Sequence, residues 1–225
     1  MKQMTDKHFA VLRRHMVEVI RIHVDLLAEE LGTVTLDERV LEVMSRVPRH
    51  LFVPDQLAHL AYHDTPLPIG FDKTISQPFI CALMTHLLDL EPHERVLDVG
   101  TGLGYQAAIL AALADHVWSV EIVEEFADGA QSRLEQLGCA NIDIRIGDGS
   151  RGWPEHAPFD KILVAAAAET VPSALLQQLK PAGCLVMPLG PAGVQQLTIV
   201  EKDAAEVVRS REVLPVRFTR LETVV

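Results

Sequence analysis

Three glycines at alternate positions, Gly100, Gly102 and Gly104, stand between an apolar run and an alanine-rich run in VLDVGTGLGYQ, Val96–Gln106. The apolar run closes on an acid, Asp98, as a buried strand does near its carboxyl end. The alanines that follow suit a helix. Glycines between the two let the chain turn sharply and bring backbone N–H groups up to a ligand. A strand, turn and helix of this kind commit the chain to an open α/β sheet with its ligand at the strand ends. The turn alone leaves that ligand open between a dinucleotide and S-adenosylmethionine, because a lone glycine fingerprint is a weak signal.

The pattern repeats downstream. Apolar runs RVLDV (95–99), HVWSVE (116–121), IDIRIG (142–147), DKILVAA (160–166) and GCLVMPL (183–189) read as strands. Helices are expected over 104–114, 123–137 and 172–180, and a glycine- and proline-containing loop joins the third strand to the fourth. Near-continuous apolar strands suit a parallel sheet with helices on both faces. QQLTIVEK (195–202) and REVLPVRFTRL (211–221) follow with no helix between them, so antiparallel strands are expected at one edge.

The first 92 residues read differently. Phe9, Leu12, Met16, Val19, Ile20, Leu27 and Leu31 recur at helical spacing, with Gly32 as a stop. A second helix is expected from TLDE, where Thr35 and Glu38 can form a capping box, and it ends before Pro48. RVPRHLFVPD reads as a turn anchored by Phe52. From Tyr62 to Phe79 there is no period, three prolines and several small polar residues, so an irregular loop is expected. Loops of that length are uncommon in compact domains unless functional. Ile80, Leu83, Met84, Leu87 and Leu88 give another helix. The expected organisation is a single domain over 1–225, with a helical cap and loop in 1–92 and an α/β core in 93–225.

Composition narrows the partners. Lys and Arg number 20 against 31 Asp and Glu, a net charge of −11. Such a surface repels phosphate backbones and anionic membrane, so nucleic-acid and membrane partners are not expected. Cys81, Cys139 and Cys184 are odd in number and form no CxxC pair. That favours a reducing cytoplasm over a disulfide framework. MKQMTDKHF lacks the apolar core of a signal peptide, and AAILAALA is too short to span a bilayer. His59 and His63 have helical metal-pair spacing but no third ligand nearby, so no metal is expected.

Three features bear on the cofactor. A dinucleotide turn wants a small residue where Tyr105 stands. Glu121 ends the second strand twenty-one positions after Gly100 and suits a ribose in either cofactor class. Asp148, beside Gly149 at the end of the third strand, is placed to accept from an adenine amino group. Tyr105 and Asp98 tilt the choice toward S-adenosylmethionine and away from a nicotinamide oxidoreductase.

RVPRHLFVP, LPIGFDKTISQP, VLDVGTGLGYQAAIL, VWSVE, IGDGSRGWPEHAPFDKILVAAAA and LVMPLG together resemble the protein-L-isoaspartate O-methyltransferase family, from about Leu36 to Gly190. The resemblance implies a Rossmann-like S-adenosylmethionine-dependent fold. It implies that the 62–79 segment covers the cofactor and lines the substrate pocket. It implies methyl transfer to the free carboxylate of L-isoaspartyl residues in damaged proteins and peptides, the first step of their repair. Ser76 falls at the family's active-site serine. It also implies cofactor contacts from Thr74, Ile75, Ser76, Asp98, Gly100, Thr101, Gly102, Gly104, Glu121, Ile122, Asp148 and Gly149. The acceptor carboxylate is ionised at neutral pH, its reference pKa being near 4, and needs no general base. Ser76 then reads as an orienting hydrogen-bond donor, or as the N-cap of the helix that starts near Pro78. Two departures stand out. Cys81 replaces a cofactor-contacting histidine of some members, and VRFTRL replaces VRFVPL beside the substrate pocket. The second leaves room for a relative acting on a dedicated peptide or small-molecule carboxylate. A monomer is slightly favoured.

Overall fold

The computed structural model describes residues 4–32 and 35–224. Part of the opening stretch read for a signal peptide, residues 1–3, lies outside them. The chain begins with α1 (Asp6–Leu26), a short α2 (Ala28–Leu31) and α3 (Glu38–Arg46), then two 3-10 turns at Arg49–Phe52 and Asp55–Leu60. A hairpin of β1 (Leu67–Gly70) and β2 (Lys73–Ile75) leads into α4 (Pro78–Leu88). The core follows as β3 (Arg95–Val99), α5 (Tyr105–Ala111), β4 (His116–Glu121), α6 (Glu124–Gln136), β5 (Ile142–Ile146) and β6 (Phe159–Val164). It closes with α7 (Ser173–Gln178), β7 (Leu179–Leu189), β8 (Gln195–Lys202) and β9 (Val208–Val216).

Seven strands form one sheet in the order β5-β4-β3-β6-β7-β8-β9. The five from β3 to β7 are parallel, and β8 and β9 run antiparallel at the edge, as the sequence pattern predicts. The chain steps outward from β3 to β5, then crosses back to lay β6 on the other side of β3. Right-handed crossovers in opposite directions send helices to opposite faces. Ile109 of α5 and Phe126 of α6 therefore share a core with Val96, Val117 and Leu163 on one face. Leu175 of α7 packs with Leu97, Trp118, Ile162 and Leu185 on the other. The reversal of strand order opens a crevice at the carboxyl ends of β3, β4 and β6.

The cap is stitched to the same core through Met16, Ile20, Met44 and Leu83. The buried stripe of α1 is Met16, Val17, Ile20 and Val24, so Val17 and Val24 take the inward places and Val19 is half-buried. The expected capping box of Thr35 and Glu38 is replaced. Asp37 caps α3 by accepting from the Arg39 N–H, and Glu38 pairs with Arg21 at 2.5 Å. The expected irregular loop contains the β1–β2 hairpin. Its turn residues Phe71 (φ 49) and Asp72 (φ 55) are both left-handed, as a tight hairpin turn requires. Leu67, Ile69 and Ile75 point inward, but strands of three and four residues are too short to show a period.

Candidate active site

Gly100 (φ 93), Gly102 (φ 54) and Gly104 (φ 96) all take the left-handed conformation that makes the turn after β3. Glu121, at the end of β4, holds that turn in place. Its Oε2 accepts the Gly102 N–H at 2.7 Å, and its Oε1 accepts the N–H groups of Ile122 and Val123 at 2.9 and 3.0 Å. After β5, Gly149 passes so close to β3 that a Cβ there would stand 2.4 Å from Val99 Cγ1. Gly100, Gly102, Glu121, Ile122, Phe126 and Gly149 line one cleft. Its roof is the segment from Thr219 to Glu222. This strap is tied down by paired hydrogen bonds between Ala167 and residues Thr219 and Leu221, by a Lys73–Glu222 ion pair, and by the Val224 N–H on Asp148. Only about 80 Å³ is open beneath it.

A second, wider cleft of about 500 Å³ lies on the other side of Thr74. Ser76, Gln77 and Phe79 form one wall, and the stretch from Leu214 to Thr219 forms the other. The two clefts meet at Thr74, Ala165 and Thr219, which line both. Ser76 is half-buried in the wider one. Its alternative as a helix cap is taken by other residues. The N-cap of α4 is Gln77, and the remote Asp64 accepts the Phe79 N–H at 2.8 Å.

The remaining expected residues stand behind these surfaces. Ile75 is buried in the core. Gly104 lets α5 rest on α6, since a Cβ would meet Leu134 and Ala130 at 3.2 and 3.3 Å. Asp98 is fully buried beneath the turn, where Ser119 donates to it at 2.6 Å and Thr101 bonds the same Ser119 hydroxyl at 2.6 Å. Burial pushes the Asp98 carboxyl up to about 7, against the opposing Ser119 bond. Asp148 spends its oxygens on Ser150 and the Val224 N–H. Burial raises its pKa, but those donors outweigh it and hold the carboxyl below the ordinary range. Tyr105 points into the core under Arg49, whose guanidinium lies 4.7 Å from its ring centre, and burial raises its phenol.

A sequence profile of the family described as protein-L-isoaspartate(D-aspartate) O-methyltransferase matches residues 24–224. The chain belongs to this family. Protein-L-isoaspartate O-methyltransferase 1 of Polaromonas sp. (strain JS666 / ATCC BAA-500) is 54% identical over 97% of this chain and 93% of its own length. Protein-L-isoaspartate O-methyltransferase 2 of Syntrophobacter fumaroxidans is 50% identical over 96% and 88%. A solved protein-L-isoaspartate O-methyltransferase superposes with a TM-score of 0.73 at 26% identity, over 89% of this chain and 65% of that longer one. A Plasmodium falciparum structure named for the same family, solved with S-adenosyl-L-homocysteine, gives 0.75 at 23% identity and supports the fold.

The methyl donor of an isoaspartate O-methyltransferase is S-adenosylmethionine, and the narrow cleft fits it. The glycine turn offers backbone, Glu121 offers a carboxylate where a ribose would lie, and Ile122 and Phe126 offer apolar walls. Ligand pockets commonly reach about 300–1,000 Å³. The roughly 80 Å³ open here is smaller than that, because the segment from Thr219 to Glu222 covers the space beside the glycine turn.

Sequence reasoning missed Arg49, Asp64 and His23. Arg49 is 0% exposed, donating to the Ala61 carbonyl at 2.8 Å and the Ser76 carbonyl at 2.6 Å. It thereby sets the backbone on which the Ser76 side chain stands. An arginine between two prolines was the available signal, and it read as turn chemistry. His23 lines the wider cleft and the buried Asp64 stands behind it, as treated below.

Proposed function

We propose that this chain transfers a methyl group from S-adenosylmethionine to the free carboxylate of L-isoaspartyl residues in damaged proteins and peptides. The observation that carries the reading is the junction of the two clefts. A narrow cleft lined by the glycine turn and Glu121 and a wider, peptide-sized one share a partition of Thr74, Ala165 and Thr219. When bound, the cofactor supplies an electrophilic methyl group on a cationic sulfur. The protein's task is alignment and exclusion of water. Glu121, the glycine turn and Gly149 are the residues that would hold the nucleoside. Asp98, Thr101, Gly104 and Ile75 act from behind, and Asp148 acts through the loop it caps. Ser76 and Thr74 orient the acceptor carboxylate, with Arg49 fixing the Ser76 backbone. The carboxylate arrives ionised, so no base is required.

In one methyltransferase domain, the described part of the first 92 residues supplies one wall of the peptide cleft through His23, Ser76, Gln77 and Phe79, and part of the narrow cleft through Ile69, Lys73 and Thr74. Cys81, Cys139 and Cys184 are all free, which supports a reducing cytoplasm. Among the described residues no helix is long and apolar enough to cross a membrane.

The test is a methyl-transfer assay on matched isoaspartyl and aspartyl peptides. The isoaspartyl peptide is expected to be methylated and its partner not, because the extra main-chain methylene moves the carboxylate relative to the backbone. Equal rates would overturn the reading. Methylation of neither peptide would favour the dedicated small-carboxylate alternative. Ser76→Ala is expected to lower turnover roughly ten- to a hundredfold, as loss of one bond made in the transition state does, at about 1–3 kcal/mol. Since Asp64 caps α4, the melting temperature should stay close to wild type. Unchanged turnover would remove Ser76 from the chemistry.

A further inference from the structure

The wider cleft carries an electrostatic contrast. The chain has a net charge of −11, yet among the described residues no aspartate or glutamate lines this cleft, while Arg217 and His23, the latter backed by the buried Asp64, do. His23 comes from α1 and precedes the family match, which begins at residue 24. Its Nδ1 lies 2.5 Å from Oδ2 of Asp64, whose side chain is 6% exposed. The same carboxylate accepts from Gln77 Nε2 at 3.0 Å and from the Phe79 N–H. Asp64 thus caps α4, holds the Gln77 side chain and stands against His23. That contact is an ion-pair distance without hydrogen-bond geometry at Nδ1, and Nε2 is the ring's other polar atom. The ring also rests against Phe79, with centroids 5.1 Å apart, so its plane is set from two sides.

A cleft of about 500 Å³ has room for more than one carboxylate. Resting on the isoaspartyl reading above, we propose that His23 is a specificity residue. It selects isoaspartyl peptides that carry a second carboxylate, on a residue flanking the isoaspartate, and as the imidazolium, with a proton on each ring nitrogen, it donates to that group from Nε2. Asp64 is the positioning residue that keeps the ring turned for this contact. Arg217, exposed on the opposite wall, adds positive potential without a fixed geometry. Peptides with neutral flanks forfeit the contact and keep the chemistry, because the acceptor carboxylate and Ser76 are unchanged between them.

The test compares isoaspartyl peptides with Glu or Gln at each flanking position, using wild type, His23→Ala and His23→Asn. For wild type, one acidic-flanked peptide is expected to show a KM lower by roughly three- to tenfold, the range for one partly exposed charge-assisted bond. Its kcat should match that of the neutral peptide. His23→Asn retains an amide donor able to reach Asp64, so α1 and α4 should stay joined and the melting temperature unchanged. Both variants should nevertheless lose the KM advantage, with kcat and S-adenosylhomocysteine affinity kept. Equal KM values for the two peptides in wild type would overturn the proposal while leaving the isoaspartyl reading intact. Survival of the advantage in His23→Asn would also overturn it, and that variant decides the matter if His23→Ala fails to fold. A wild type that methylates no isoaspartyl peptide would remove both readings together.

Discussion

Alanine at position 121 is expected to weaken S-adenosylhomocysteine binding roughly ten- to a hundredfold, and to destabilise the fold as well. The first effect follows from removing a buried, charge-assisted acceptor, worth about 1.5–3 kcal/mol. The second follows from what Glu121 does without any ligand. It is 5% exposed and satisfies the N–H groups of Gly102, Ile122 and Val123. Stranding buried donors costs about 1–3 kcal/mol each, and the three costs will not simply add, because water can enter the widened space. A stability loss of about 3 kcal/mol is a fair expectation. Glutamine is no rescue, since its amide nitrogen would face one of the N–H groups. Calorimetry with S-adenosylhomocysteine and a thermal melt separate the effects. A variant that melts early yet binds normally would confine Glu121 to the loop.

Arg49→Met is expected to be the most damaging single change to the peptide side of the site. The buried guanidinium spans the carbonyls of Ala61 and Ser76, which are 15 positions apart in the chain. Removing it leaves the Ala61 carbonyl without its donor and the Ser76 carbonyl with only the weak Cys81 thiol, for a loss of about 2–5 kcal/mol. Lysine keeps the charge, but a single ammonium cannot reproduce the forked geometry. Arg49→Lys should therefore fold better than Arg49→Met and still turn over slowly. Arg49 does not line the narrow cleft, so cofactor affinity should fall far less than kcat in Arg49→Lys. A lysine variant with wild-type kcat would mean that the Ser76 backbone needs no such anchor.

The sheet was legible because its signals are local. The spans HVWSVE and QQLTIVEK coincide with β4 and β8, where apolar runs sit between turn residues. The last strand was displaced for a physical reason. Residues 208–212 pair at the exposed sheet edge, and from Arg209 to Glu212 their side chains are polar, so they show no apolar pattern, while 217–221 leave the sheet to cross the site. The glycine turn and Glu121 were readable because their order along the chain matches their place at successive strand ends. Arg49, Asp64 and His23 were not. Their partners lie 27, 15 and 41 positions away, and no spacing rule links residues brought together only by packing of the cap on the core.

The strap over the narrow cleft bears on the timing of turnover. Thr219 is at once the end of the roof and part of the partition facing the peptide. A peptide seated against the stretch from Leu214 to Thr219 would press on the root of that roof and hold it shut. The nucleoside would then have to arrive before the peptide and depart after it. Such an enzyme works by a compulsory sequence, with the spent donor as the last product to leave. Release of the spent donor would then have to break the Ala167 backbone pair as well as the Lys73–Glu222 contact.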